Sequence, residues 1–159
     1  MALRVTQPAP VPALELTALA EGALGAAALS SVAFVVSRLL GERFGRSLLV
    51  VSLFAVVGAY FGFAVVGAPN SAWVVVELAH VFLFGSFALV GWVGSAYWLA
   101  AAWALHSVWD VWHIFGPGAV YTPARFASAS LGFALMVVAF VLVGNGSGLQ
   151  GHEPFRTPE

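Results

Sequence analysis

Two histidines and one aspartate recur at helical spacing inside the otherwise apolar segment 104–113. His106 and Asp110 are four residues apart, and Asp110 and His113 are three residues apart. On an α-helix these separations place all three side chains on one face. Imidazole and carboxylate groups bind transition metals and act as general acids and bases. The spacing therefore predicts a chemically active stripe along one helix.

A second pair with the same chemistry, Glu77 and His80, lies in the preceding apolar segment with a separation of three residues. If the two segments form an antiparallel hairpin that turns near Gly94, Glu77 comes level with Asp110. His80 then comes level with His106. We therefore expect the two clusters to meet at one depth across the hairpin.

The composition places these residues in a membrane. Hydrophobic residues make up 61% of the chain, charged residues only 8%, and the mean hydropathy is +0.96. Soluble domains carry about 25% charged residues. The pattern predicts an all-α integral membrane protein, a bundle of about five transmembrane helices in a single domain, 14–144. The predicted spans are 16–40, 47–66, 72–93, 95–115 and 126–143, with an extended segment 1–13 and a disordered tail 145–159.

The arginines predict how the bundle is oriented. Arg38, Arg43 and Arg46 surround the linker 41–46, the one compact basic segment of the sequence. The positive-inside rule places this linker in the cytoplasm, so the amino terminus lies outside and the carboxyl tail inside. We expect a bacterial or archaeal inner membrane. The net charge of −1 argues against nucleic acid as a partner.

The ionisable residues at one depth predict a metal site, because ionisable groups inside a membrane mark functional sites by default. Without cysteine, the ligands favour zinc or iron, bound as one or two ions. A first ion would be held by His80, His106 and Asp110, and a second by Asp110 together with further side chains. The full predicted set of metal ligands is Glu21, Glu77, His80, His106, Asp110 and His113.

This site predicts a metal-dependent enzyme, either a hydrolase or an oxidoreductase. Glu77 or Asp110 would act as the catalytic general base, and the substrate would be a lipid or another apolar molecule reached from the outer leaflet. No nucleotide-binding or serine-hydrolase motif accompanies the cluster.

Two alternatives remain open at the level of sequence. The first is haem b, held by His80 on one helix and by His106 or His113 on the next, in an electron-transfer protein. The second is a non-catalytic small subunit of a larger membrane complex, or a homo-oligomer, whose buried polar cluster specifies assembly or relays protons.

Overall fold

The computed structural model describes residues 14–146, and this part of the chain is helical, with no β-strand. Four of its helices, α1, α2, α3 and α5, are long and apolar enough to cross a membrane. The predictions for residues 1–13 and 147–159 lie outside the described part. The elements are α1 (Leu16–Leu40), α2 (Glu42–Gly67), α3 (Ser71–Val93), α4 (Ala96–Phe115), the 3-10 helix η1 (Pro117–Val120) and α5 (Ala124–Gly146).

Local signals in the sequence explain where the helices begin and end. Gly41 separates α1 from α2 with a φ of 102°, a conformation that glycine adopts without steric cost. The Asn70 side chain accepts a hydrogen bond from the backbone N–H of Ala72, and so caps α3. Ser95 caps α4 in the same way. These short connections make consecutive helices antiparallel.

The helix α2 already begins at Glu42, so most of the segment 41–46, predicted as a linker between two spans, is helical. Hydropathy marks where a helix enters lipid, whereas the helix itself continues through polar residues. Here the Glu42 carboxylate pairs with Arg46 one turn later, at 3.0 Å. An acidic residue is also favourable in the first turn of a helix, because it interacts with the helix dipole. The last helix likewise extends past the predicted end at 143, to Gly146.

The five helices form a closed ring. Consecutive helices pack against one another, and α1 packs on α5 more extensively than on α2, which closes the ring. The closing contact is tight, because Gly22 lies against the carbonyl of Ala129 and Gly132 lies against the carbonyl of Leu19. Small residues allow such close approach between membrane helices.

The helix α4 carries several polar side chains that are buried in the core of the ring. Its buried face includes His106, Asp110 and His113, and the large indole of Trp103 is fully buried beside them. Its tryptophan, histidine and aspartate residues lower its hydropathy, and α4 is not among the four helices apolar enough to span by composition. Neighbouring helices cover these polar groups, so α4 does not need a uniformly apolar surface.

Candidate functional site: a buried carboxylate–imidazole network

Four side chains from α3 and α4 form a continuous line of close polar contacts. His80 Nδ1 lies 3.0 Å from Glu77 Oε2, and His80 Nε2 lies 3.2 Å from His106 Nδ1. The other nitrogen of His106, Nε2, lies 3.4 Å from Asp110 Oδ1. We call Glu77, His80, His106 and Asp110 the buried quartet. The predicted meeting of the two clusters is therefore found, with His80 directly opposite His106.

The quartet is shielded from its surroundings. Glu77, His106 and Asp110 have no exposed surface, and His80 is 3% exposed. Burying an ionised side chain without partners is costly, and partners that supply or accept hydrogen bonds offset this cost. The quartet thus depends on the groups around it.

Glu77 has the largest number of such partners. The Trp109 indole N–H donates to Oε2 at 3.2 Å, and the Tyr121 hydroxyl donates to Oε1 at 2.7 Å. His113 Nε2 lies 2.8 Å from the same Oε1 atom. Together with His80, these contacts make Glu77 the centre of the network.

Asp110 is less fully satisfied. The Tyr60 hydroxyl of α2 donates to Asp110 Oδ1 at 2.6 Å. The second oxygen, Oδ2, is buried without a hydrogen-bond partner within the described residues. His106 Nε2, beside Asp110, also lies 3.2 Å from the Ser130 hydroxyl of α5. Three helices besides α3 therefore contribute to this end of the network.

The predicted pairing of α3 with α4 agrees with the observed contact between His80 and His106. It differs from the observed contacts of Glu77 and Asp110. We expected Glu77 to come level with Asp110 across the hairpin, and Asp110 to be a ligand shared by two ions. Instead Glu77 contacts His80 and His113, while Asp110 contacts His106 and Tyr60. The reason is that side chains project obliquely from a helix, so residues at equal depth need not touch.

Glu21 is the predicted ligand that the fold does not bring to the network. Its carboxylate is exposed and pairs with Arg125 at 2.7 Å, on the surface between α1 and α5. Conversely, sequence reasoning missed Tyr60, Ser130 and Tyr121. Tyr60 carries a polar hydroxyl within an apolar span, and this is the one signal that could have drawn attention to it.

Tyr121 links the network to the end of the bundle. It lies in the connection between α4 and α5, directly after η1, and is 8% exposed. Burial, together with the hydrogen bond to the Glu77 carboxylate, raises the pKa of the Tyr121 hydroxyl above its ordinary value. The hydroxyl therefore stays protonated and remains a donor to Glu77.

The predicted metal ligands do not converge on one point. His106 turns one ring nitrogen to His80 and the opposite nitrogen to Asp110, so these three groups surround no common position. Within residues 14–146, no group of three or more His, Asp or Glu side chains is arranged to hold an ion.

A haem between His80 and His106 would require wider spacing than is observed. Two axial nitrogens need about 4 Å between them, twice a metal–imidazole bond of about 2.0 Å. The observed separation is 3.2 Å.

Over residues 14–146, the fold is all-helical, four of the helices are long and apolar enough to cross a membrane, and the core holds a buried histidine–carboxylate network. The chain belongs to a family described as "Family of unknown function (DUF6010)", whose model matches residues 21–146. This match covers α2, α3, α4 and α5 and most of α1, and so includes every residue of the network. No curated protein and no solved structure matches the chain.

Proposed function

We propose that this protein is a proton-coupled membrane protein, in which a proton moves between Glu77 and Asp110 through His80 and His106. The observation that carries the proposal is the unbroken line of contacts, 3.0, 3.2 and 3.4 Å long, through the buried quartet. Chains of Asp, Glu and His side chains serve as proton relays in membrane pumps and transporters. Carriers and subunits of proton-driven complexes are the classes that fit.

The quartet can hold its three protons in two arrangements. In the first, Glu77 is ionised, each histidine carries its hydrogen on Nδ1, and Asp110 is protonated. In the second, Glu77 is protonated, each histidine carries its hydrogen on Nε2, and Asp110 is ionised. The protons between Glu77, His80 and His106 move along hydrogen bonds. The proton between His106 Nε2 and Asp110 Oδ1 crosses an ion-pair contact of 3.4 Å, so the two groups must move closer for this transfer. The negative charge thereby passes from α3 to α4.

A second pair extends the network from Glu77 towards the end of the bundle. His113 Nδ1 lies 3.0 Å from the backbone carbonyl of Trp109, an acceptor, so this nitrogen carries a hydrogen. His113 Nε2 faces Glu77 Oε1, and one proton is shared between them. Tyr121, beside both groups, lies nearest the surface. We infer that protons enter at this end.

Among the described residues 14–146, the opposite half of the bundle offers no comparable line of polar contacts. Below the quartet the core is formed by apolar side chains such as Phe84, Ala88, Leu99 and Trp103. The proposal is therefore proton exchange with one side of the membrane, coupled to a conformational or binding step, rather than an open proton channel.

The proposal includes the orientation expected from the arginines. With α4 as a fifth span, the amino terminus lies outside and the carboxyl terminus in the cytoplasm of a bacterial or archaeal cell. The network then lies in the outer leaflet, about 9 Å below the start of α3 at a rise of 1.5 Å per residue. Reporter fusions after Gly118 and after Gly146 should be active on opposite sides of the membrane.

A metal-dependent enzyme acting on a lipid or other apolar molecule is the second candidate. It is favoured by one observation, that a carboxylate stands behind each of the two facing histidines. Metal-binding histidines commonly donate their second ring N–H to a carboxylate. In that case Glu77 and Asp110 would orient His80 and His106 rather than bind the ion.

Tryptophan fluorescence can test the proton proposal, because the Trp109 ring lies 4.7 Å from the His80 ring. When the quartet takes up one proton beyond the three described above, one of its histidines becomes positively charged, and a charged imidazole beside an indole quenches the indole emission. Protein in sealed liposomes is titrated from about pH 4 to about pH 9, the range in which carboxyl and imidazole groups titrate. We expect a reversible change when the pH is altered on the Tyr121 side only.

Three variants make this test specific. Glu77→Gln and His80→Gln should abolish the response, because each removes one proton-binding group. Ser86→Ala is the matched control on α3, since its hydroxyl only donates to the Phe82 carbonyl of the same helix. A wild-type protein without a pH response, or a response unchanged in both quartet variants, would rule out the proposal.

A further inference from the structure

The helices α1 and α5 enclose a groove at the opposite end of the bundle from the network. They touch at Gly22 and Gly132, in the first half of each helix, and the groove lies further along both helices. Its volume is about 960 Å³, within the range of ligand pockets. The lining is mainly apolar and includes Ala27, Phe34, Met136, Phe140 and Val143.

One polar group in this groove lacks a partner. Ser30 lines the groove and is 1% exposed, and its hydroxyl has no hydrogen-bond partner within the described residues. Its neighbour Ser31 differs, because that hydroxyl donates to the Ala27 carbonyl at 2.8 Å. A buried hydroxyl without a hydrogen-bond partner is energetically unfavourable, because it has lost its hydrogen bonds to water. A polar atom of a bound molecule would remove this cost.

A positive charge lies at the rim of the groove. Arg38, in the last turn of α1, lines the groove, and its guanidinium lies 5.1 Å from the centre of the Phe34 ring. Among residues 14–146, Arg46 and Arg125 pair with carboxylates, whereas Arg38 forms no ion pair. The one acidic residue in the lining, Glu42, is already paired with Arg46.

We propose that the groove is a binding site for an anionic phospholipid, with one acyl chain between α1 and α5 and the headgroup phosphate at Arg38. From Ala27 to Arg38 the groove extends about 16 Å along α1, at 1.5 Å per residue. This length matches one leaflet of a hydrocarbon core about 30 Å thick. An ester oxygen of the lipid would accept the hydrogen bond of Ser30.

The surrounding charges support an anionic headgroup. Arg38, Arg43 and Arg46 lie together at this end of the bundle, and Glu42 is the only acidic residue among the segment 38–46. Basic groups at a membrane surface attract anionic lipids. The site is separate from the buried quartet, so it stands whether or not the protein is proton-coupled.

Native mass spectrometry of the full-length protein tests the site. The protein is purified in a mild detergent and exposed to equal amounts of phosphatidylglycerol and phosphatidylcholine. We expect the wild type to retain one phosphatidylglycerol molecule in preference to phosphatidylcholine. Arg38→Gln should lower this preference roughly fivefold, the contribution of one arginine at an anionic surface.

Arg43→Gln is the matched control, because it removes the same charge from an exposed residue outside the groove. Ser30→Leu should reduce the retention of both lipids, since its side chain fills the acyl position. If Ser30→Leu fails to fold, the comparison of Arg38→Gln with Arg43→Gln decides alone. Equal loss of preference in these two variants, or no preference in the wild type, would overturn the proposal.

Discussion

His80 on α3 and His106 on α4 face each other with one ring nitrogen each, 3.2 Å apart, and their ring planes differ by only 7°. A neutral imidazole has one donor and one acceptor nitrogen, so such a pair can form one hydrogen bond in either direction. This contact joins α3 and α4 through polar groups in the core, as do the contacts of Trp109 and His113 with Glu77. It is also the middle step of the proposed proton path.

A double-mutant cycle should measure this contact. His80→Phe and His106→Phe each leave the partner nitrogen buried and unsatisfied, so each should lower the free energy of unfolding by about 1–3 kcal/mol. The double variant should lose less than the sum of the two, because no unsatisfied nitrogen remains across the interface. Thermal or denaturant unfolding in one detergent provides the measurement. Strictly additive losses would show that the two rings do not interact.

The two carboxylates should differ strongly in their tolerance of substitution. Glu77 accepts hydrogen bonds on both of its carboxylate oxygens. In Glu77→Gln one of these acceptors becomes an amide N–H, a donor that faces other donors. We expect a loss of about 3–5 kcal/mol in unfolding free energy, as for a broken buried ion pair. Asp110→Asn keeps an oxygen for Tyr60 and should cost less than about 1 kcal/mol. Unfolding in detergent checks the order, and a greater loss in Asp110→Asn would contradict it.

Much of this arrangement could be predicted from the sequence. Helical spacing placed His106, Asp110 and His113 on one face, and the turn at Gly94 set the register that brings His80 opposite His106. Both inferences depend only on helix geometry and on the length of one short connection. Such local geometry is unchanged by the rest of the fold.

The partners contributed by distant helices could not be predicted. Tyr60 and Ser130 reach the quartet only because α2 and α5 rotate particular faces inwards, and hydropathy is nearly uniform around these helices. Glu21 illustrates the same difficulty, since its helix turns the carboxylate outwards to Arg125 rather than towards the network. Without a polar face, sequence alone does not fix the rotation of a membrane helix.

Metal content separates the two candidate functions. Because the six predicted ligands do not converge within the described residues, we expect well below one zinc or iron ion per purified chain. A Soret band would instead indicate haem bound by two of the histidines. Elemental analysis and an optical spectrum of detergent-purified protein provide the measurement. One or two ions per chain, lost in His80→Ala and His106→Ala, would instead support the metal-dependent enzyme.

The closing contact between α1 and α5 should be sensitive to a single methyl group. A Cβ atom at Gly22 would overlap the Ala129 carbonyl, whereas at Gly58 of α2 it would meet nothing within 4 Å. Gly22→Ala should therefore cost about 1–3 kcal/mol of unfolding free energy. Gly58→Ala should be neutral or add up to about 1 kcal/mol, because alanine favours a helix. Unfolding both variants in the same detergent compares them, and equal midpoints would mean that α1 and α5 do not approach this closely.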